Sequence, residues 1–195
     1  MQKLDIAALD LILKEARTHS HWSGKPVEDS LLREAVELMK MGPTSANCEP
    51  IRILFLRSKQ SKERLKPLLA PGNVEKTMAA PVTALLAYDL EFHERLPRLF
   101  PHADARSWFA GKPSFIQETA FRNASLQAAY LIIALRALGL DCGPMTGFDA
   151  EKANAEFFPN SSVRANILVN IGYGEADKLH TRLPRLDFEE IAQIL

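Results

Sequence analysis

One long apolar helix constrains the fold of this 195-residue chain more than any other feature. Residues 117–138 are predicted to be helical, and their second half contains the run Ala128-Ala129-Tyr130-Leu131-Ile132-Ile133-Ala134-Leu135. A helix that is apolar all round must be buried on every side, either in a core or in a subunit interface. The run stops at Arg136 and is far too short to cross a bilayer. We expect Gly139 to end the helix.

Helices outnumber strands along the chain. Apolar or alternating segments predict three strands, at residues 51–56, 82–88 and 163–171. Helices are predicted over residues 4–16, from about Asp29 to Met39, over 61–69 and over 150–157. Two further short helices are predicted, one capped by Asn73 and one that begins after Asp187, and Asp149 is predicted to cap the helix 150–157. Strands and helices do not alternate regularly, so the sequence predicts one α+β domain over residues 1–195 rather than a doubly wound fold.

A polar loop, Met41-Gly42-Pro43-Thr44-Ser45-Ala46-Asn47-Cys48-Glu49-Pro50, joins the second helix to the first strand. Gly42 can take the left-handed conformation that ends a helix, and Pro43 prevents its continuation. Thr44, Ser45 and Asn47 then place hydroxyl and carboxamide groups beside free backbone N–H groups. This surface suits a planar ligand rich in hydrogen-bonding groups, and a turn that satisfies its own backbone is the alternative.

Composition argues against several classes of function. Basic and acidic residues balance at 24 each, so no broad field attracts nucleic acid or an anionic membrane. The two cysteines, Cys48 and Cys142, lack metal-binding or disulfide-framework spacing. Phosphate-binding glycine motifs and a GxSxG elbow are missing. Without a recognisable secretion signal, the cytoplasm is the expected location.

Five short stretches between the predicted elements form an ordered set. They are Arg17-Thr18, Pro43-Thr44-Ser45-Ala46-Asn47, Asn73 with Lys76, the segment 138–149, and Arg182-Leu183-Pro184-Arg185-Leu186. In their order and spacing, from about residue 10 to the C-terminus, the chain resembles the FMN-dependent nitroreductase family. Through residues 40–48, 101–109 and 143–149 it is most similar to the malonic semialdehyde reductase subfamily, which is tied to bacterial pyrimidine breakdown.

The resemblance implies where an FMN phosphate would bind. Arg17 and the tail residues Arg182 and Arg185 match the phosphate-binding positions, and guanidinium forks suit phosphate oxygens. The first stretch also contributes Thr18 and a nearby histidine, His19 or His21, as a substitute for a second basic residue.

The resemblance also implies contacts to the flavin ring. Asn73 and Lys76 match positions at its pyrimidine edge, where a lysine stabilises the negative charge that develops on reduction. Pro144, Thr146 and Gly147 match the segment beside flavin N5, where glycine permits a close backbone approach.

The family resemblance further implies a domain-exchanged homodimer with a small, mainly antiparallel sheet surrounded by helices. Thr44, Ser45 and Asn47 match a loop that reaches the flavin across the dimer interface. The apolar helix and the extended tail are consistent with a large intersubunit contact.

The irregular segment 89–117 matches the part of the family fold that lines the substrate mouth. Arg106 would hold the carboxylate of a small acid, and aromatic side chains would shield the flavin from water. Packing or surface roles are the alternative for each of these residues. The candidate substrate residues are His102, Arg106, Trp108 and Phe109.

The implied activity is an FMN-dependent oxidoreductase that takes hydride from NADH or NADPH and passes it through flavin N5 to a small substrate. The subfamily suggests malonic semialdehyde, reduced to 3-hydroxypropanoate. A broad nitro or quinone reductase is the main alternative. Other classes remain open: a flavin carrier or sensor without turnover, and a thiol enzyme based on Cys48. No metal, nucleic acid or membrane partner is expected.

Overall fold

The computed structural model describes residues 3–195. Its centre is a four-stranded antiparallel sheet in the order β1-β2-β4-β3. The strands are β1 (Ile51–Leu56), β2 (Val82–Asp89), β3 (Asp141–Met145) and β4 (Val163–Gly172). The helices are α1 (Ile6–Leu9), α2 (Asp29–Met39), α3 (Lys59–Leu65), α4 (Pro71–Ala79), α5 (Leu96–Leu99), α6 (Pro113–Ala137), α7 (Ala150–Phe157) and α8 (Phe188–Ile191). The predicted α+β fold is confirmed.

Helices cover both faces of the sheet. On one face, Leu131 of α6 joins a core cluster that also contains Ala84 and Leu86 of β2. On the other face, Leu65 of α3 shares a second cluster with Leu85. Successive residues of a strand point to opposite faces, so β2 is apolar throughout because both of its faces are buried.

Within one chain, the long helix α6 is buried on one side only, so of the two predicted environments the core accounts for one face and a subunit interface remains a prediction for the other. Ala124 and Leu135 are buried in the core, whereas Phe121 and Leu126 are 50% and 43% exposed. The helix ends as predicted, because Gly139 adopts a left-handed φ of 77° and its N–H donates to the carbonyl of Arg136. The exposed apolar residues leave part of α6 open to a further partner.

Strand β3 was missed by the sequence analysis, which treated the segment 138–149 as a loop. Gly143 and Pro144 lie inside this strand and both disfavour strand structure in general. Proline is tolerated here because β3 is an edge strand of the sheet: on its outer side the described residues form one isolated bridge, between Thr18 and Cys142.

Two predicted helices differ from those observed. The predicted helix 4–16 is a single α-turn followed by a π-helical turn over Asp10–Lys14. Asn73 does not cap α4, since that helix begins at Pro71 and Ala70 occupies the capping position. The side chain of Asn73 is therefore free to bind elsewhere.

The C-terminal tail, residues 180–195, lies entirely exposed. It carries the predicted capping box of Asp187 and Glu190 at the start of α8. The accessible surface of the chain is 11859 Å², about 2,600 Å² more than a compact monomer of this mass exposes. Among residues 3–195, no helix combines the length and apolar character needed to cross a membrane.

Candidate functional site

The first candidate site lies beside β3, where the segment after α1 runs along the edge of the sheet. Thr18 forms a parallel bridge with Cys142, and the backbone N–H of His19 donates to the carbonyl of Cys142 at 3.1 Å. Trp22 forms a second bridge, to Gly174. The stretch that contains Arg17 and Thr18 is thereby fixed beside Cys142 of β3. Pro144 and Thr146, further along the same segment, are both exposed.

The tail crosses this segment and brings two arginines together. The guanidinium of Arg17 donates to the carbonyl of His180, and that of Arg182 donates to the carbonyl of Ala16 at 3.4 Å. Arg185 instead donates to the tail carbonyls of Leu183 and Pro184. The segments that carry Arg17 and Arg182, which are 165 positions apart in sequence, therefore lie side by side. Arg185 is engaged within the tail itself.

Helix α4 is tied by its N-terminal turn to the segment that follows β3. The side-chain amide of Asn73 donates to the carbonyl of Gly147 at 2.8 Å, and the backbone N–H of Ala70 donates to the same carbonyl at 2.9 Å. A Cβ atom at position 147 would overlap the amide nitrogen of Asn73. Only glycine allows this close approach, and it brings two of the candidate cofactor residues, Asn73 and Gly147, into direct contact.

The last turn of α4 is held by donors that the sequence analysis missed. The carbonyl of Lys76 accepts from the indole N–H of Trp22 at 3.1 Å and from the carboxamide of Asn170 at 3.3 Å. Lys62 donates to the carbonyls of Thr77 and Ala80. Within residues 3–195 the ammonium of Lys76 has no carboxylate partner. We name Arg17, Thr18, Asn73, Lys76, Gly147 and Arg182 the β3 site.

His19 does not fit the role of a second basic group in the β3 site. Its side chain is buried, with Nε2 3.4 Å from Oδ1 of Asp141. The ring packs so closely on Gly174 that a Cβ atom there would overlap it. Because the imidazole faces the interior of the chain, His19 contributes its backbone to this region rather than a surface charge.

The second candidate site is the β1 loop, residues 43–50. Three residues other than glycine have positive φ there: Ala46 at 50°, Asn47 at 51° and Glu49 at 39°. Such backbone is strained and persists where the surroundings fix it, which is common at functional sites. Thr44 accepts from the N–H of Glu49 at 3.3 Å, so one hydroxyl serves the loop itself. Ser45 and Asn47 remain exposed.

Gly42 has a different role from the one expected. Its φ is not in the left-handed region, and the ring of Tyr130 occupies the space that a Cβ atom would need. The carboxamide of Asn47 donates to the carbonyl of Leu99 at 2.9 Å. A groove of about 430 Å³ lies along the junction of the loop and α6, and it is lined in part by Thr44, Ser45 and Asn123.

The two sites lie at opposite edges of the sheet. The β1 loop leads into β1, and the other site adjoins β3, so three strand spacings separate them. At 4.7–4.9 Å for each spacing, this separation is about 14 Å. One chain therefore does not bring Ser45 and Asn47 to the same place as Asn73 and Lys76.

Of the candidate substrate residues, Phe109 is a core side chain. It is 4% exposed and makes an edge-to-face contact with Phe92 at 4.9 Å between centroids. Phe115 stacks on its other side at 5.1 Å. The prediction that Phe109 lines an open mouth does not fit this burial.

The other three candidates are at the surface. Arg106 is paired with Glu94, Nε to Oε2, at 2.8 Å. His102 and Trp108 both pack against Phe100, at 5.6 and 5.8 Å between ring centroids. Arg106 therefore already has one carboxylate partner in this structure, and both side chains of the pair are about half exposed.

Thiol chemistry is contradicted by the surroundings of both cysteines. Burial raises the pKa of the Cys48 thiol from 9.0 to about 11, and burial raises the pKa of Cys142 to about 12. A nucleophilic cysteine needs a lowered pKa and access to substrate. Neither thiol has them, which argues against a thiol enzyme based on Cys48. In the described part of the chain, no cluster of three acidic, histidine or cysteine side chains could hold a metal.

An antiparallel four-stranded sheet surrounded by helices, with one polar site at each edge, defines a nitroreductase-type α+β fold. The chain belongs to the Nitroreductase family, whose model matches residues 13–173. The predicted family is thereby confirmed, whereas the malonic semialdehyde reductase subfamily is not.

Solved structures have the same fold. A Bacillus subtilis protein assigned as a nitroreductase, YdfN, is 22% identical, with a TM-score of 0.89 over 98% of this chain and 100% of its own. An Exiguobacterium sibiricum protein, solved in complex with FMN, is 17% identical with a TM-score of 0.84 and full coverage of both chains. A Staphylococcus epidermidis protein assigned as an NAD(P)H:FMN oxidoreductase is 18% identical, with a TM-score of 0.83 and full coverage of both. At these identities the likeness establishes the fold.

Proposed function

We propose that this protein is a homodimeric, FMN-dependent NAD(P)H oxidoreductase. The observation that carries the proposal is the composition of the β3 site. The segments that carry Arg17 and Arg182 bond to one another, and Gly147 packs against Asn73 of α4. Trp22, five residues after Arg17, donates to the backbone carbonyl of Lys76 and so ties the first segment to α4. The FMN-containing structure from Exiguobacterium sibiricum shares the fold and supports the choice of cofactor.

The donor set fits FMN group by group. Arg17 and Arg182 would hold the phosphate, because paired guanidinium forks match its oxygens in charge and geometry. Lys76 would face the pyrimidine edge of the ring and stabilise negative charge there. Gly147 would let the backbone approach the ring closely, and Asn73 fixes that backbone. FMN supplies hydride transfer when bound, so the chain needs no nucleophile of its own.

The proposed dimer rests on surface that one chain leaves uncovered. Phe121, Leu126 and Ile133 of α6 are exposed, as are the tail residues Leu186 and Ile191. Phe121 and Leu126 line one surface depression together, and exposed apolar surface of this kind is typical of an interaction site. We propose that the second chain packs on α6 in an orientation that brings its β1 loop to the β3 site of the first, which would remove the separation of about 14 Å. Each FMN would then be bound by residues of both chains.

Neutral electron acceptors such as nitroaromatics and quinones are the substrates that we propose. The pairing of Arg106 with Glu94 supports this choice, because an anionic substrate would have to displace a carboxylate that is already bound. The exposed ring of Trp108 offers a surface for planar acceptors. Malonic semialdehyde remains a second candidate, with Arg106 as its anchor. We propose the cytoplasm as the location.

The test is spectroscopic and kinetic. The purified protein should show flavin absorbance, lose it on addition of NADPH or NADH, and regain it with a nitroaromatic or a quinone. A colourless protein with no affinity for added FMN would refute the proposal. Reduction without reoxidation by any acceptor would favour a flavin carrier or sensor. Faster turnover with malonic semialdehyde than with the neutral acceptors would reverse the choice of substrate.

A further inference from the structure

Three buried polar side chains follow one face of α6. Thr119, Asn123 and Gln127 are separated by four residues each, which places them in a row along the helix. They are 5%, 3% and 1% exposed. A buried carboxamide is unfavourable unless its donors and acceptors are satisfied. A row of this kind in an otherwise apolar core therefore requires partners.

The partners belong to the β1 loop and its neighbours. Asn123 Oδ1 accepts from the backbone N–H of Ser45 at 2.8 Å, and Gln127 Oε1 accepts from the N–H of Ile51 at 3.1 Å. The hydroxyl of Tyr130 donates to the carbonyl of Pro43 at 3.1 Å. The loop is thus bound to α6 at its beginning, near its middle and just after its end.

The orientation of the Asn123 carboxamide is fixed from the other side. Its Nδ2 donates to the carbonyl of Thr119 at 2.9 Å, within the same helix. Because Nδ2 is bound to the Thr119 carbonyl, the other end of the carboxamide, Oδ1, is directed at the β1 loop. An apolar residue at this position would leave the N–H of Ser45 without its partner.

We propose that Asn123, Gln127 and Tyr130 are positioning residues that hold the strained β1 loop in the conformation needed to bind FMN. This inference rests on the proposed function, in which Ser45 and Asn47 serve the FMN of the partner subunit. The loop has positive φ at Ala46, Asn47 and Glu49, and it keeps that backbone because α6 supplies bonds on either side of the three residues.

The experiment compares Asn123→Leu with Asn123→Asp and with Ser125→Ala. Leucine removes the acceptor while keeping a similar volume, and aspartate restores an acceptor for Ser45. Ser125 is the matched control, because its hydroxyl accepts from Asn166 and not from the β1 loop. Two quantities are measured: hydrogen exchange of residues 43–51 in FMN-free protein, and the Kd for FMN from quenching of flavin fluorescence.

We expect Asn123→Leu to accelerate exchange in residues 43–51 and to raise the Kd for FMN at least tenfold. Asn123→Asp should recover part of the affinity, because it restores the acceptor for Ser45 but lacks the amide donor to Thr119. Ser125→Ala should change neither quantity. If Asn123→Leu does not fold, Tyr130→Phe should show the same effects at smaller size, because it removes only one hydroxyl.

Unchanged exchange and unchanged Kd in both Asn123→Leu and Tyr130→Phe would overturn the inference. An equal loss of affinity in Ser125→Ala would also overturn it, since any lost bond on α6 would then have the same effect. A wild-type protein that does not bind FMN would refute the proposed function. The exchange of residues 43–51 would in that case still decide whether α6 fixes the loop.

Discussion

A buried lysine beneath α4 makes the stability of this protein depend on pH in the alkaline range. Lys62 is 5% exposed and donates to the carbonyls of Thr77 and Ala80, at the end of the helix that carries Asn73 and Lys76. Burial lowers the pKa of Lys62 from 10.5 to about 8. The folded chain therefore releases this proton at a lower pH than the unfolded chain does.

The sign of the effect follows from proton linkage. Between pH 8 and pH 10.5 the unfolded state keeps the proton on Lys62 while the folded state has lost it. Raising the pH through this window therefore increases the free energy of unfolding. One pKa unit corresponds to 1.36 kcal/mol, so the full change for Lys62 is about 3 kcal/mol. Below pH 8 the contribution is constant, because both states are protonated.

The assay is urea unfolding of the wild type and of Lys62→Met at several values from pH 7 to pH 10. Subtracting one series from the other removes the contribution of groups that titrate in both proteins, including Cys48 and Cys142. The free energy of unfolding of the wild type minus that of Lys62→Met should increase by about 2–3 kcal/mol as the pH rises. Lys59→Met, an exposed position on the same helix, is the control. A difference that stays flat across the window would refute the reasoning.

Three further predictions concern the proposed site. Arg17→Ala and Arg182→Ala should each raise the Kd for FMN by about 10- to 100-fold, since a charge-assisted bond contributes about 1.5–3 kcal/mol. Arg185→Ala should raise the Kd less. Unchanged affinity in both of the first two variants, measured by flavin fluorescence, would reject this phosphate site. Arg106→Ala should raise the KM for malonic semialdehyde but not for a neutral quinone, whereas an equal loss with both would indicate a structural role. Cys48→Ala should leave NADPH-dependent turnover unchanged, and loss of turnover with FMN still bound would contradict the exclusion of thiol chemistry.

Periodicity and capping were sufficient to predict much of the fold. β1 and β4 could be predicted because their residues are apolar or alternate between apolar and polar. The caps at Asp149 and Asp187 could be predicted because short polar side chains at these positions accept from backbone N–H groups of the next turn. β3 was missed because Gly143 and Pro144 weaken every local signal of a strand. Only pairing with β4, which is a long-range property, makes that segment extended.

The candidate sites were predictable where a local motif carries the information. Asn73 and Gly147 were each singled out from their short stretches, and the structure joins them by a hydrogen bond. Asn123 and Gln127 were not singled out, because a polar residue in a helix carries no local sign of the backbone group it will meet. Lys62 was missed for the same reason, since its sequence position is that of an ordinary surface lysine. Burial and partners are properties of the assembled chain.

The separation of the β3 site from the β1 loop has a genetic consequence. If each FMN is bound by the β3 site of one chain and the loop of the other, a chain defective only in Arg17 and a chain defective only in Asn123 should complement one another. Their mixed dimer would contain one site with both lesions and one site with neither. Two proteins that are each unable to retain FMN would then recover, on mixing and exchange of subunits, up to one intact site for every mixed dimer.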